Sequence, residues 1–285
     1  MNFPKLSNQK LLKKLEHLNK KVKMVLDTDT YNEVDDQFAL AYALKSKEKM
    51  SVEAVYAAPF HNKRSSGPED GMEKSYEEIL RILEFMNIAN EGFVFKGSRG
   101  YLEDADTPRE SKAAQDLVEK AHECSEEEPL YVVAIGAITN VASAILIDPE
   151  IIKNIVVVWL GGNAHFWPDT REFNLQQDIH ASRLIFDCGV PLIQISCMGV
   201  TTHLATTVPE LEHYLMGKSE LGTYLTDIVR NYTDNACGWS KVIWDIATIA
   251  WLINPDWVPT DVVHSPVLTN QLTWSFDNSR HFIRS

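Results

Sequence analysis

The chain has 285 residues, 45% hydrophobic and 24% charged, proportions that supply a sizeable globular core. Its formal net charge of −13 opposes a polyphosphate backbone and excludes general nucleic-acid binding. No apolar run approaches the ~18 residues of a membrane span, the N-terminus lacks a signal-peptide core, and Cys124, Cys188, Cys197 and Cys237 show no CxxC spacing; the expectation is a cytoplasmic protein with reduced thiols and no membrane partner.

Ser7 is placed to cap a first helix with Leu11, Leu12, Leu15 and Leu18 at helical spacing, so residues 1–21 read as a helical extension. Val22 to Leu26 is a short β-rich run ending in Asp27 and Asp29. A polar turn, Thr30 to Glu33, leads into a helix from Val34 to Leu44. Ser51 to Ala58 is the next strand, followed by a polar loop, His61 to Gly71, and a helix from Met72 to Met86. Leu130 to Ile135 reads as a strand and Thr139 to Ile147 as a helix. Ile155 to Leu160 is an unbroken apolar strand closed by Gly161 and Gly162. A helix at Asp178 to Asp187 and a strand at Pro191 to Ile195 follow. Two helices fill Pro209 to Asn235, another spans Trp244 to Leu252, and the alternation of Val267 to Ser275 predicts a hairpin.

Strands alternating with helices imply βαβ units, and continuously apolar strands imply a sheet covered on both faces. The expected fold is therefore α/β: one domain over residues 1–285, a doubly wound, mostly parallel sheet with helices on both faces. In such sheets ligands lie beyond the carboxyl ends of the strands. Asp27 and Asp29 end the first strand, Asn62 follows the second, Thr139 the third, and Gly161 and Gly162 the fourth.

Asp27 to Asp36 holds five acids in ten positions. Strand alternation sends Asp27 and Asp29 to one side. Asp35 and Asp36 fall in the first turn of a helix, where the dipole favours negative charge. So many carboxylates repel one another unless a hard cation with oxygen ligands joins them, and Ca²⁺ tolerates several carboxylates better than Mg²⁺ does. Asp-x-Asp after a first strand also resembles the haloacid-dehalogenase phosphatases, but their later lysine and second acidic motif have no suitable counterpart here.

Later segments decide between the two. Gly136-Ala137-Ile138-Thr139-Asn140-Val141-Ala142 resembles the Gly-Pro-Leu-Thr-Asn-Leu-Ala segment of the inosine–uridine preferring nucleoside hydrolase family. Leu160-Gly161-Gly162, then Glu172-Phe173-Asn174 and Asp178, is similar to that family's Met-Gly-Gly…Glu-Phe-Asn…Asp-Pro segment. Val242 to Leu252, with Asp245, is similar to its His-Asp-Pro helix start, and Asp27 to Asp36 to its Asp-x-Asp-Pro-Gly-x-Asp-Asp signature. The resemblance implies Ca²⁺-dependent hydrolysis of the N-glycosidic bond of a ribonucleoside. It implies metal ligation by Asp29, Asp36, Asp245 and the main-chain carbonyl of Thr139, with Asp29 also the general base. It assigns Asp35 and Asn62 to the ribose 2′ and 3′ hydroxyls, and Glu172 and Asn174 to the 5′ end. It further implies a homodimer or homotetramer. A protein of the same fold that holds a nucleoside or ribose with little turnover is the alternative.

Three departures accompany the resemblance. The Thr30 to Val34 turn is two residues longer than the family's Pro-Gly-x link and contains neither proline nor glycine. The Asn163 to Arg171 loop is short, and Asn163 or His165 stands in for an asparagine that holds ribose in the family. Trp244 occupies the position of a histidine that serves many members as the leaving-group acid; tryptophan offers stacking but no acid at neutral pH. His61 and His203 are further candidates to touch substrate or protonate the base, Phe166 and Trp167 form an aromatic loop, and Cys197 reads as a core thiol.

Overall fold

The computed structural model describes residues 2–285. In chain order, α1 (Asn8–Lys14), β1 (Val22–Thr28), α2 (Asp36–Lys45), β2 (Met50–Ala57), α3 (Pro68–Phe85) and β3 (Val94–Lys96) form the first half. Then come α4 (Lys112–His122), β4 (Leu130–Ala134), α5 (Thr139–Ile147), β5 (Ile155–Leu160), α6 (Phe173–Gln177), α7 (Ile179–Asp187) and β6 (Leu192–Ile195). The last third holds β7 (Ala205–Thr206), α8 (Val208–Tyr214), α9 (Glu220–Arg230), β8 (Lys241–Val242), α10 (Ile246–Ile253), β9 (Val262–His264), β10 (Val267–Leu268), β11 (Trp274–Ser275) and β12 (Phe282–Arg284).

Eight strands make the main sheet, in the order β3-β2-β1-β4-β5-β6-β12-β9. All neighbours are parallel except β12 and β9. The chain starts in the middle at β1, moves outward to β3, and returns to the other side of β1 with β4. The order therefore reverses between β1 and β4, and the loops leaving those two strands diverge to open a crevice.

The apolar strands explain the layering. Met24 and Leu26 of β1 pack with Val133, Val158 and Ile193 on one face of the sheet. Val25, between them, packs with Val132, Val157, Trp159 and Leu192 on the other. Period-two alternation thus feeds two cores, one per face, as expected of a sheet covered on both sides. At the N-terminus Ser7 caps α1 through Lys10 N–H, and Leu11 and Leu15 are buried. Arg284 of β12 donates to the Leu15 carbonyl at 2.9 Å, tying the two ends of the chain together. Among the described residues no helix is long and apolar enough to cross a membrane.

The structure departs from the sequence expectation in several places, among them the start of α3 at Pro68 and the unpredicted α6, β9 and β12. Strand β1 runs two residues further, to Thr28, because Asp27 is paired inside the sheet rather than turned to solvent. The expected helix at Val34 begins only at Asp36, with Asp35 as its N-cap residue. Residues 87–129, for which the pattern predicted nothing, contain β3 and α4: the strand is only three residues long, too short to show a period. The Val267 to Ser275 hairpin forms as β10 and β11, whereas β12 enters the main sheet beside β6.

Candidate active site

Four buried aspartates meet where β1 ends. Thr28, the last residue of β1, donates its hydroxyl to Asp36 Oδ1 at 2.6 Å. The Asp29 carbonyl accepts from Asn32 N–H at 2.7 Å, which turns the chain back toward α2. Asp245 arrives from the other end of the sequence as the N-cap residue of α10. Carboxylate oxygens of Asp35, Asp36 and Asp245 lie within 4.8 Å of one another. Both carboxylate oxygens of Asp29 are buried and take no hydrogen bond from the protein.

Water exclusion and mutual repulsion act together on these acids. Burial, then the charges of Asp36 and Asp35, push Asp29 well above the usual carboxylate range. Asp245 is raised by burial and by Asp35, Asp36 and Asp29. Burial lifts Asp36 to about 7, reinforced by Asp35. It lifts Asp35 to about 6, against the pull of Lys241. Asp27 reaches about 7 through burial, but it faces Asn140 and is kept apart by that bond.

A web of hydrogen bonds ties β1 to the loops leaving β3 and β4. Asn140 Nδ2 donates to Asp27 Oδ1 at 2.7 Å, and its Oδ1 accepts from both the Ser98 N–H and hydroxyl. Thr139 donates its hydroxyl to Asp178 Oδ2 at 2.7 Å, and Asp178 also accepts from Leu102 N–H and Ala181 N–H. Gly136 is needed for close approach, since a Cβ there would stand 3.0 Å from Asp29 Cγ. At Gly97 a Cβ would meet the Ala57 carbonyl at 2.1 Å and Asn140 Nδ2 at 2.4 Å. Gly97→Ala is therefore expected to destabilise the fold by about 2 kcal/mol or more, readable in urea unfolding, because backbone rather than a flexible side chain obstructs the methyl.

Above the acids lies a cavity of about 250 Å³. Asn32, Glu33, Asp35, Glu172, Asn174, Trp244 and Asp245 are among the residues that line it. Glu172 caps α6, its carboxylate accepting from the N–H groups of Gly162, Asn174 and Leu175 at 2.8 to 3.0 Å. Asn174 Nδ2 donates to the carbonyls of Ile135 and Leu160. Both of its amide hydrogens are thereby used, which fixes the amide orientation and leaves Oδ1 as the group it can offer to a ligand hydroxyl.

Of the expected site residues, Asp35, Asp245, Glu172, Asn174 and Trp244 line the cavity, whereas Asp29, Asp36 and Thr139 are buried and do not line it. Asn62 and His165 are not among the lining residues. Asn62 spends its Nδ2 on Asn32 Oδ1 at 2.6 Å and its Oδ1 on Arg64 N–H, because the long turn after Asp29 brings Asn32 within its reach. His165 turns to Gln194 Oε1 at 2.9 Å and packs edge-on against Trp274. Asn163 lines the cavity, but its side chain joins the Asp169 carbonyl to Met198 N–H. His61 and His203 are exposed, as is Phe166. Cys197 lines the cavity instead of filling the core; its place after β6, at a strand's carboxyl end, was the available signal. Glu33 and Arg171 also line the cavity without having been singled out, and buried Lys241 pairs with Glu33. No periodicity marks such residues, which depend on where loops fall.

The inosine–uridine preferring nucleoside hydrolase family model matches residues 24–275. The chain belongs to that family. A probable uridine nucleosidase of Arabidopsis thaliana is 28% identical over 235 residues, 74% of this chain and 70% of that protein. A non-specific ribonucleoside hydrolase of Salmonella paratyphi B is 31% identical over 133 residues, 45% of this chain and 42% of the relative. A purine-preferring ribonucleoside hydrolase from Gardnerella vaginalis shares the fold, with a TM-score of 0.68 at 20% identity over 92% of this chain and 88% of its own. Membership of this metal-dependent family of N-ribosyl hydrolases leaves the phosphatase reading without support.

Proposed function

We propose that this protein hydrolyses the N-glycosidic bond of ribonucleosides to free base and ribose, with Ca²⁺ held at the aspartate cluster. The observation that carries this reading is the group of four buried aspartates under a cavity walled by Glu172, Asn174 and Trp244. The residues fit the ion. Two buried oxygens of Asp29 lack any partner, and the donors are carboxylates, the hard oxygen ligands that calcium prefers. Asp29, Asp36, Asp245 and the Thr139 carbonyl would hold it. When bound, the ion supplies charge compensation and a site where ribose hydroxyls and a water converge with that water's pKa lowered.

The chain's own groups perform the remaining work. Asp29 accepts the proton of the attacking water at its carboxylate. Asp35 accepts from a ribose hydroxyl in the cavity. Asn174 Oδ1 accepts from a sugar hydroxyl, and Glu172, with three main-chain donors on its carboxylate, takes a further hydroxyl. Holding the sugar at several points places C1′ beside the water, so that orientation becomes part of catalysis. The breaking bond leaves an oxocarbenium-like sugar, as in glycoside hydrolysis, and the clustered carboxylates are complementary to that positive charge. A deoxyribonucleoside leaves polar groups of the cavity unpaired and is expected to be a poor substrate.

Trp244 stacks on the departing base. Trp244→Ala is expected to raise KM for inosine by about tenfold, within the range that base–aromatic stacking contributes. A steady-state comparison of the two proteins reads this directly. The test of the function itself is ribose release from inosine and uridine in millimolar CaCl₂. Release that stops with chelator supports the reading; no release from either, or from a wider nucleoside panel, removes it in favour of a protein that binds without turnover.

A further inference from the structure

The extended turn after Asp29 does more than connect β1 to α2. It places Glu33 in the lining of the same cavity as Trp244. Three contacts pin the turn. Arg64 Nη1 donates to the Glu33 carbonyl at 2.8 Å, and its guanidinium lies 4.4 Å from the centre of the Tyr31 ring. Asn62 donates to the Asn32 carbonyl and to Asn32 Oδ1. Lys241, buried beside the turn, donates to Glu33 Oε2 and to the Val242 carbonyl. Among the described residues, no protein donor reaches Glu33 Oε1, and the side chain is 35% exposed.

The other lining carboxylates are already committed. Asp35 and Asp245 sit in the aspartate cluster, and Glu172 caps α6. Asp35 and Glu172 are assigned to sugar hydroxyls, so Glu33, fixed at one oxygen by Lys241, is the lining carboxylate left for the base. A lysine-anchored carboxylate is a strong, acceptor-only group, selective for N–H over a lone pair. Trp244, which lines the same cavity, offers a flat surface on which a nucleobase can rest.

On the reading of this cavity as a nucleoside pocket, we infer that Glu33 is a specificity-determining residue whose Oε1 accepts a hydrogen bond from a ring N–H of the nucleobase, with Lys241 as the residue that positions it. Bases presenting a ring N–H at that edge gain a charge-assisted bond. Bases presenting a ring nitrogen lone pair there face the carboxylate unfavourably. The recognition is thus supplied by a turn longer than the family's usual link, and the fixing of Asn32 by Asn62 belongs to the same arrangement.

The test uses two non-hydrolysable probes on the full chain with CaCl₂: the C-nucleoside counterpart of inosine, and the same compound methylated at the ring nitrogen corresponding to N1. Their dissociation constants are measured by calorimetry for the wild type, Glu33→Gln and Glu33→Ala. The wild type is expected to bind the methylated probe about 10- to 100-fold more weakly, the span of a hydrogen bond to a charged group. In Glu33→Ala that ratio is expected to fall to near one, and in Glu33→Gln to an intermediate value. Because the ratio compares two ligands on one protein, a general loosening of the turn does not mimic the effect. An unchanged ratio in Glu33→Ala, or equal binding of both probes by the wild type, overturns the assignment and leaves the nucleoside reading standing. No binding of either probe overturns both. Lys241→Met is expected to lower the ratio without abolishing it; a ratio unaffected by that change removes the positioning role.

Discussion

Asp29→Asn should lower kcat for inosine by about 10²- to 10⁴-fold, the usual contribution of a carboxylate that takes up a proton in the transition state. The substitution keeps the size of the side chain and removes its charge. Asp29 is buried, with both oxygens unpartnered and its affinity for a proton raised first by burial and then by Asp36 and Asp35. Removing that charge relieves the repulsion in the metal-free protein. The variant should therefore melt at a higher temperature than the wild type in chelator, while gaining less from added CaCl₂. This opposite movement of activity and metal-free stability separates a functional role from a structural one. A kcat within tenfold of wild type would remove Asp29 as the base, and a lower melting temperature in chelator would show that its carboxylate supports the fold.

Metal removal should expose an unusual dependence of stability on pH. Asp35 and Asp36 are raised to about 6 and about 7, and Asp29 and Asp245 are also raised, first by burial and then by neighbouring aspartates. An acid whose folded pKa exceeds its unfolded value binds more protons in the folded state through the interval between the two. Its favourable contribution is complete below the unfolded value, near 3.8, and is lost as pH rises through the folded one. The metal-free protein should therefore lose stability from pH 5 to pH 8. Calcium replaces the protons, so the loss should disappear in CaCl₂. At a free concentration near 100 times Kd, binding adds about 2.7 kcal/mol, a rise on the order of 5 °C in melting temperature. Calcium binding near pH 6 should also release protons, visible as a dependence of the calorimetric heat on the buffer. Parallel melting curves with and without calcium across this range would show that the cluster does not hold the ion.

The same acids show how far the sequence reached. Asp29, Asp35 and Asp36 were legible as one group because they flank a single strand and helix, whereas Asp27, expected on the same side as Asp29, is held apart by Asn140. Asp245 lies more than two hundred residues away, yet it was legible through the motif resemblance around it. Glu172 and Asn174 were legible in the same way, and the structure adds which atoms remain free. Asn174 has spent its amide hydrogens on Ile135 and Leu160, a choice made by strands β4 and β5 meeting beside it.

Asn62 and His165 show the limit. Their positions after strand ends are right for contact with a ligand, but their side chains are claimed by Asn32 and by Gln194. Nothing in the local pattern reveals a competitor that arrives from elsewhere in the chain. Lys241 is the converse: an ordinary lysine in the sequence, it becomes a buried cation beside Glu33 and Asp35 because β8 delivers it there.

By itself, the sequence determined the alternation of strands and helices, the sheet covered on both faces, and the acidic cluster at the end of β1. Those features follow from side-chain period and short-range spacing, which a chain carries wherever it folds. Only the tertiary structure decided the reversal of strand order between β1 and β4, the entry of β12 beside β6, and which polar atoms remain unpaired in the cavity. These depend on contacts between distant segments, where each buried donor or acceptor is satisfied by whatever packing brings within reach.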